Sequence, residues 1–175
     1  MQREEQIAAA PLQPVTTQPR RRTTMGGVVI EGLDDCLVKF AQCCNPVPGD
    51  PIIGFITRGY GVSIHRRDCT NVPENINESE NKERWVAVQW EQSVNTEFNA
   101  NLRIVANDQM NLLLKLATTL SNLHVSVHSV NARDQESGGA VVTMTIAVNS
   151  VEHLQYVIQK LRAIPGVDDV QRTGM

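Results

Sequence analysis

With 175 residues, a formal net charge of -3 and 41% hydrophobic residues, the chain is sized for one or two globular domains, which excludes a long fibre and a large enzyme. Aromatic residues make up only 4%, leaving little for base-stacking platforms or carbohydrate-stacking clefts. No run approaches the ~20 apolar residues of a membrane span and the start, Met1 to Gln6, is polar, so the chain reads as cytoplasmic and its four cysteines as reduced thiols.

Residues 1–27 carry four Arg against two Glu, are rich in Gln, Pro and Thr, and lack any apolar period. They read as a disordered linker or tail, with the triplet Arg20, Arg21, Arg22 solvated. Residues 28–94 turn acidic, six basic side chains against ten acidic ones. Here Leu33, Cys36, Leu37, Phe40, Ala41 and Cys44 fall at helical spacing, which predicts a short amphipathic helix or a tightly packed turn. Two β-prone stretches, residues 52–57 and 62–65, flank Arg58-Gly59-Tyr60-Gly61 and predict a hairpin. Trp85 to Trp90 alternates in a two-residue period and predicts one further strand, after a polar loop from Pro73 to Glu83.

Residues 95–175 are the most regular. Phe98, Ala100, Leu102, Ile104 and Ala106 alternate as a strand; Leu112, Leu113, Leu116, Ala117 and Leu120 repeat as a helix; Val125 and Val127 open a second strand. After a loop, Val142 to Val148 alternate again, Val151, Leu154, Ile158 and Leu161 form a second helical stripe, and Val167 to Arg172 make a last strand. The order is βαββαβ. Two helices with one apolar stripe each need a sheet face to cover, so the economical packing is a two-layer, ferredoxin-like sandwich. The fold class is therefore α+β: a small α/β-hairpin domain at 28–94, then this unit at 95–175.

Chemistry concentrates in the first domain. Cys43 and Cys44 stand at the mouth of Asn45-Pro46-Val47-Pro48-Gly49-Asp50, and the hairpin returns the chain to His65 and Cys69. Neighbouring side chains on a regular strand point to opposite faces, so the proline turn supplies the irregular backbone that lets both thiols reach one ion. His65 and Cys69 are four apart, one face of a helical turn. Three thiolates and one imidazole suit tetrahedral Zn²⁺, and a shell closed by four protein ligands is structural rather than catalytic. The competing readings are that these cysteines are small buried apolar residues, or that Cys43 and Cys44 form a vicinal disulfide. Cys36, on an apolar stripe, reads as a core thiol.

The stretch CCNPVPGDPIIGFITRGYGVSIHRRDC, Cys43 to Cys69, resembles the zinc-finger or conserved-cysteine domain of long RelA/SpoT-type (p)ppGpp synthetase/hydrolases. The following βαββαβ unit resembles their ACT domain. The resemblance implies a regulatory carboxy-terminal module of a GTP pyrophosphokinase, with metal ligands at Cys43, Cys44, His65 and Cys69. It implies contact with ribosomal RNA and tRNA on a stalled ribosome, within the full-length protein, and control of that protein's catalytic domains. Arg58 at the hairpin tip and Arg66 and Arg67 beside His65 are the candidate RNA contacts; in an acidic segment such contacts must be local. ACT domains commonly bind amino acids at the turn between strand 1 and helix 1, which here holds Asp108, Asn111 and Leu112. Many relatives have Gly at the position of Asn111, and Asp108 also reads as the cap of helix 1.

The chain shows no His-Asp pair of a metal-dependent hydrolase and no phosphate-binding loop, so no catalysis is expected of it alone. A zinc hydrolase would need a glutamate beside the histidine, where Ile64, Arg66 and Arg67 stand. An RNA-recognition motif shares the βαββαβ order, but its stacking aromatics have no counterpart beyond Phe98. The remaining alternative is a free-standing, amino-acid-binding ACT regulatory subunit of a biosynthetic enzyme. His124, His128 and His153 are assigned no role, and exposed sheet edges suggest an ACT-mediated homodimer.

Overall fold

The computed structural model describes residues 26–33, 36–59, 61–107, 111–136 and 138–174. The tail reading for residues 1–25 and the cap reading for Asp108 therefore lie outside the described residues. In chain order the elements are β1 (Val28–Ile30), β2 (Val38–Phe40), β3 (Ile52–Thr57), β4 (Gly61–Arg66), β5 (Trp85–Val86), β6 (Val88–Trp90), β7 (Phe98–Ala106), α1 (Leu112–Asn122), β8 (Val127–Asp134), β9 (Ala140–Val148), α2 (Val151–Arg162) and β10 (Val167–Thr173). Two single 3-10 turns, Ile76–Glu78 and Lys82–Arg84, interrupt the polar loop.

The second unit forms one four-stranded sheet in the order β10-β7-β9-β8, antiparallel at every pair. Its strand order and the two helices make the split-βαβ sandwich that the alternating pattern implied. Leu112, Leu116 and Leu120 of α1 and Leu154, Val157, Ile158 and Leu161 of α2 bury one stripe each against Ala100, Leu102, Ile104, Val142, Met144 and Ile146. Helix α2 is capped by Ser150, whose hydroxyl accepts the His153 amide at 3.1 Å. Helix α1 ends in a Schellman motif: His124 takes a left-handed φ of 55°, its amide donates to the Ser121 carbonyl, and the Val125 amide donates to that of Leu120.

In the first unit, β3 and β4 form the expected hairpin, paired from Ile52 opposite Arg66 to Thr57 opposite Gly61. The sheet order is β2-β4-β3-β5, with a separate two-stranded ladder between β1 and β6. Two expectations are revised here. Of the helix or tight turn expected over Leu33 to Cys44, the described residues carry the turn and no helix: Val38–Phe40 is a strand parallel to β4, followed by a tight turn in which the Asn45 amide reaches the Ala41 carbonyl at 2.9 Å. Leu33, Cys36, Val38 and Phe40 pack inward while Leu37 is 67% exposed, so the alternation inside that stripe outweighs its helical spacing. Backbone partners decide it, because the Leu37 carbonyl accepts from Val62 and the Ala41 amide donates to Ile64. Trp85 to Trp90 is likewise two strands, β5 on β3 and β6 on β1, divided at Ala87.

The two units are packed together. Val47, from the loop after the cysteine pair, is fully buried in the core of the second unit. Phe40, Trp90 and Phe98 meet at the junction: Phe40 stacks on Trp90 with centroids 5.6 Å apart, and Phe98 meets both rings edge-on at 5.3 and 5.5 Å.

Candidate metal centre

The turn after β2 presents Cys43 and Cys44, the end of β4 presents His65, and the turn after β4 presents Cys69. His65 and Cys69 do not share a helical turn; the chain leaves β4 and folds back, with the Cys69 amide donating to the Arg66 carbonyl. The four donor atoms nevertheless lie within 4.8 Å of one another. The Cys43 sulfur is 3.9 Å from that of Cys44, 3.5 Å from that of Cys69 and 3.4 Å from His65 Nδ1; the Cys44 sulfur is 4.0 Å from Nδ1. A tetrahedron with metal–sulfur bonds of about 2.3 Å and metal–nitrogen bonds of about 2.0 Å has edges of about 3.8 Å between sulfurs and about 3.5 Å from sulfur to nitrogen. The residues therefore fit a four-coordinate metal ion. The Cys43–Cys44 separation is far from a disulfide length of about 2.05 Å, and Cys36 packs in a separate apolar cluster.

The surroundings orient these donors. The remaining ring nitrogen of His65, Nε2, is 3.2 Å from the Ser63 hydroxyl, two residues back on the same strand face. With Nδ1 as ligand, Nε2–H donates to that oxygen and fixes the tautomer. Burial lowers the His65 pKa, which keeps the imidazole neutral as a ligand must be. Burial pushes the Cys44 thiol up to about 12, opposed by the Arg66 backbone amide 3.4 Å away and reinforced by the neighbouring Cys43 and Cys69. Burial also pushes the Cys43 thiol up, but hydrogen bonds from Asn71, Cys69 and Cys44 outweigh it and leave Cys43 below the ordinary range. Ionised, three sulfurs this close would repel one another, and a divalent cation would supply the charge that offsets them.

The candidate RNA contacts do not form one cluster. Arg58 sits at the hairpin tip and Arg66 and Arg67 at the opposite end of β4, about 20 Å away by strand rise. Arg58 and Arg67 are exposed, whereas Arg66 is ion-paired to Asp68. At the turn where an amino-acid site was expected, Asn111 stands in the left-handed region at φ 59°, directly before α1, and makes no side-chain cap. Leu112 is buried in the sheet–helix core.

Residues missed from the sequence include Ser63 and Asn71, and above all Asp50 and Arg172. The Arg172 fork binds both Asp50 oxygens at 2.9 and 2.7 Å and the Asn45 carbonyl at 2.7 Å. For Ser63 a signal existed, since alternate residues share a strand face; for the 122-residue separation of Asp50 and Arg172 there was none.

Among known proteins, the family model described as the RelA/SpoT RIS domain matches residues 28–91, and an ACT domain model matches residues 94–172. The GTP pyrophosphokinase of Streptomyces coelicolor is 39% identical over 153 residues, 87% of this chain and 18% of that protein. The GTP pyrophosphokinase of Escherichia coli K12 is 39% identical over 173 residues, 97% of this chain and 23% of that protein. This chain thus spans about a fifth of the length of these relatives. The solved ACT domain of the Chlorobium tepidum GTP pyrophosphokinase is 25% identical, covering 44% of this chain and 99% of that one at a TM-score of 0.40. With two adjoining family models accounting for nearly all of residues 28–172, the chain belongs to the RelA/SpoT family, of which it represents the carboxy-terminal regulatory region.

Proposed function

We propose that this chain is the zinc-stabilised sensing module of a stringent-response GTP pyrophosphokinase. In the full-length, cytoplasmic protein it contacts ribosomal RNA on a ribosome stalled with uncharged tRNA, and it controls (p)ppGpp synthesis and hydrolysis by the catalytic domains of that protein. The observation that carries the reading is the convergence of Cys43, Cys44, His65 and Cys69 at tetrahedral spacing inside the segment that matches the RIS domain. Zinc, when bound, cross-links three segments of a domain whose own apolar cluster is small. All four donors are protein atoms, which suits a structural role over a catalytic one.

Arg58 and Arg67, exposed at opposite ends of the hairpin, suit two separate phosphate contacts rather than one basic patch. A second copy of the chain is the partner that suits the edge of the ACT sheet. All eight residues of β8 are exposed, and β8 and α1 leave an apolar groove lined by Leu113, Leu116, Leu120, Val127, Val130 and Met144. An edge strand presents main-chain donors and acceptors that another strand matches, and β8 of a second copy is such a strand. Among the described residues no helix is long and apolar enough to cross a membrane.

The test is metal analysis together with ribosome co-sedimentation. About one zinc per chain, and sedimentation with ribosomes that rises with deacylated tRNA, are expected. A metal-free chain prepared without chelator, or sedimentation indifferent to ribosomes, would overturn the reading.

A further inference from the structure

The loop that begins at the cysteine pair is held from outside its own domain. Asp50 closes the loop by accepting the Val47 amide at 2.8 Å, and the Trp90 indole donates to the Asp50 carbonyl at 2.9 Å. From the ACT unit, Arg172 on β10 grips both Asp50 carboxylate oxygens and the Asn45 carbonyl, with side-chain exposures of 13% for Arg172 and 7% for Asp50. Asn45 has a left-handed φ of 41° one residue after Cys44, a conformation that needs surrounding contacts to persist. The Pro48 carbonyl accepts the Val151 amide at 2.8 Å, at the open N-terminal turn of α2. Gly174, just past β10, lies so close to Cys43 that a Cβ there would overlap the Cys43 carbonyl oxygen.

We infer that the last strand of the ACT unit is part of the framework of the metal centre: Arg172, with close packing at Gly174, holds the Cys43–Asp50 loop in its ligating conformation. This rests on the metal reading above. Arg172 touches no ligand sulfur in the described contacts and acts through Asn45 and Asp50, so it is a positioning residue. Supports of this kind are worth roughly ten- to a hundredfold in metal affinity. Because coupling is reciprocal, metal bound at the cysteines also orders β10.

Zinc transfer from the 175-residue chain to the chromophoric chelator 4-(2-pyridylazo)resorcinol tests this. Arg172→Ala and Gly174→Ala should each release zinc about tenfold faster than wild type, and Arg172→Lys, which keeps the charge and loses the fork, should fall between. The far-UV melting of each variant reports whether the ACT unit stays folded. The wild-type chain supplies a measurement that needs no variant: removing zinc with EDTA should speed amide exchange at Val170, Arg172 and Thr173 while leaving α1 protected. Metal release within twofold of wild type in folded variants, or exchange in β10 indifferent to EDTA, would overturn the framework role and leave the metal centre standing. A wild-type chain that takes up no metal would overturn both.

Discussion

His65 shows how much a single strand position can decide. One of its ring nitrogens faces three thiols and the other faces Ser63, so the backbone alternation of β4 sets both the ligand atom and its tautomer. Ser63→Ala should keep the fold and weaken zinc affinity by about tenfold, measured by competition with a chelator; an unchanged affinity would mean that packing alone orients the ring. The four donors were legible in the sequence because ligand chemistry is carried by residue type and a turn rich in Pro and Gly betrays a bend. His124 was not legible. Its function is conformational: it occupies the left-handed position that ends α1, where glycine is usual. His124→Gly should therefore raise thermal stability by about 0.5–1 kcal/mol, the strain of that backbone less the entropy of the added glycine.

Periodicity reads well where elements are long and one-sided, and this divides the chain at the element scale. Strands β7 and β9 and the two helices of the ACT unit were legible because each presents three to five buried apolar residues on one face. The three-residue strand β2 was not, since Cys36 and Phe40 belong both to a helical stripe with Leu33 and to a two-residue alternation with Val38, and only the hydrogen bonds of β4 choose between them. Neither was the break at Ala87, where one alternating run serves two sheets. At the edge of the ACT sheet, Val130 is half exposed and lines the groove beside α1. On the β8 pairing proposed above, Val130→Lys should lower the dimer fraction in sedimentation equilibrium while leaving the far-UV spectrum intact. A wild-type chain that sediments as a monomer at every concentration would remove the second copy from that edge.

For the whole molecule, the junction between the two units carries more than a linker would. Val47 belongs by sequence to the metal loop and by packing to the ACT core, where it is 0% exposed. Val47→Ala should cost about 1.5–3 kcal/mol, from the methyl groups lost and the cavity left behind. Because both units use this side chain, their melting transitions should move together; a shift confined to one would show that they unfold separately. Asp50→Ala, which leaves the Arg172 cation enclosed without its partner, should cost about 3 kcal/mol by denaturant titration. None of this coupling could be read along the chain, since it joins residues whose pairing depends on how two independently patterned units dock.

The ion pair between Asp50 and Arg172 spans 122 positions of sequence. During synthesis the cysteines, the histidine and the hairpin emerge early, while the cation that clasps their loop is translated more than a hundred codons later. A nascent chain therefore holds all four ligands for several seconds, at about 5–20 residues per second, before it can fasten the loop that bears two of them. A stop codon at position 172 would leave it in that unfastened condition permanently, with its ligand set unaltered.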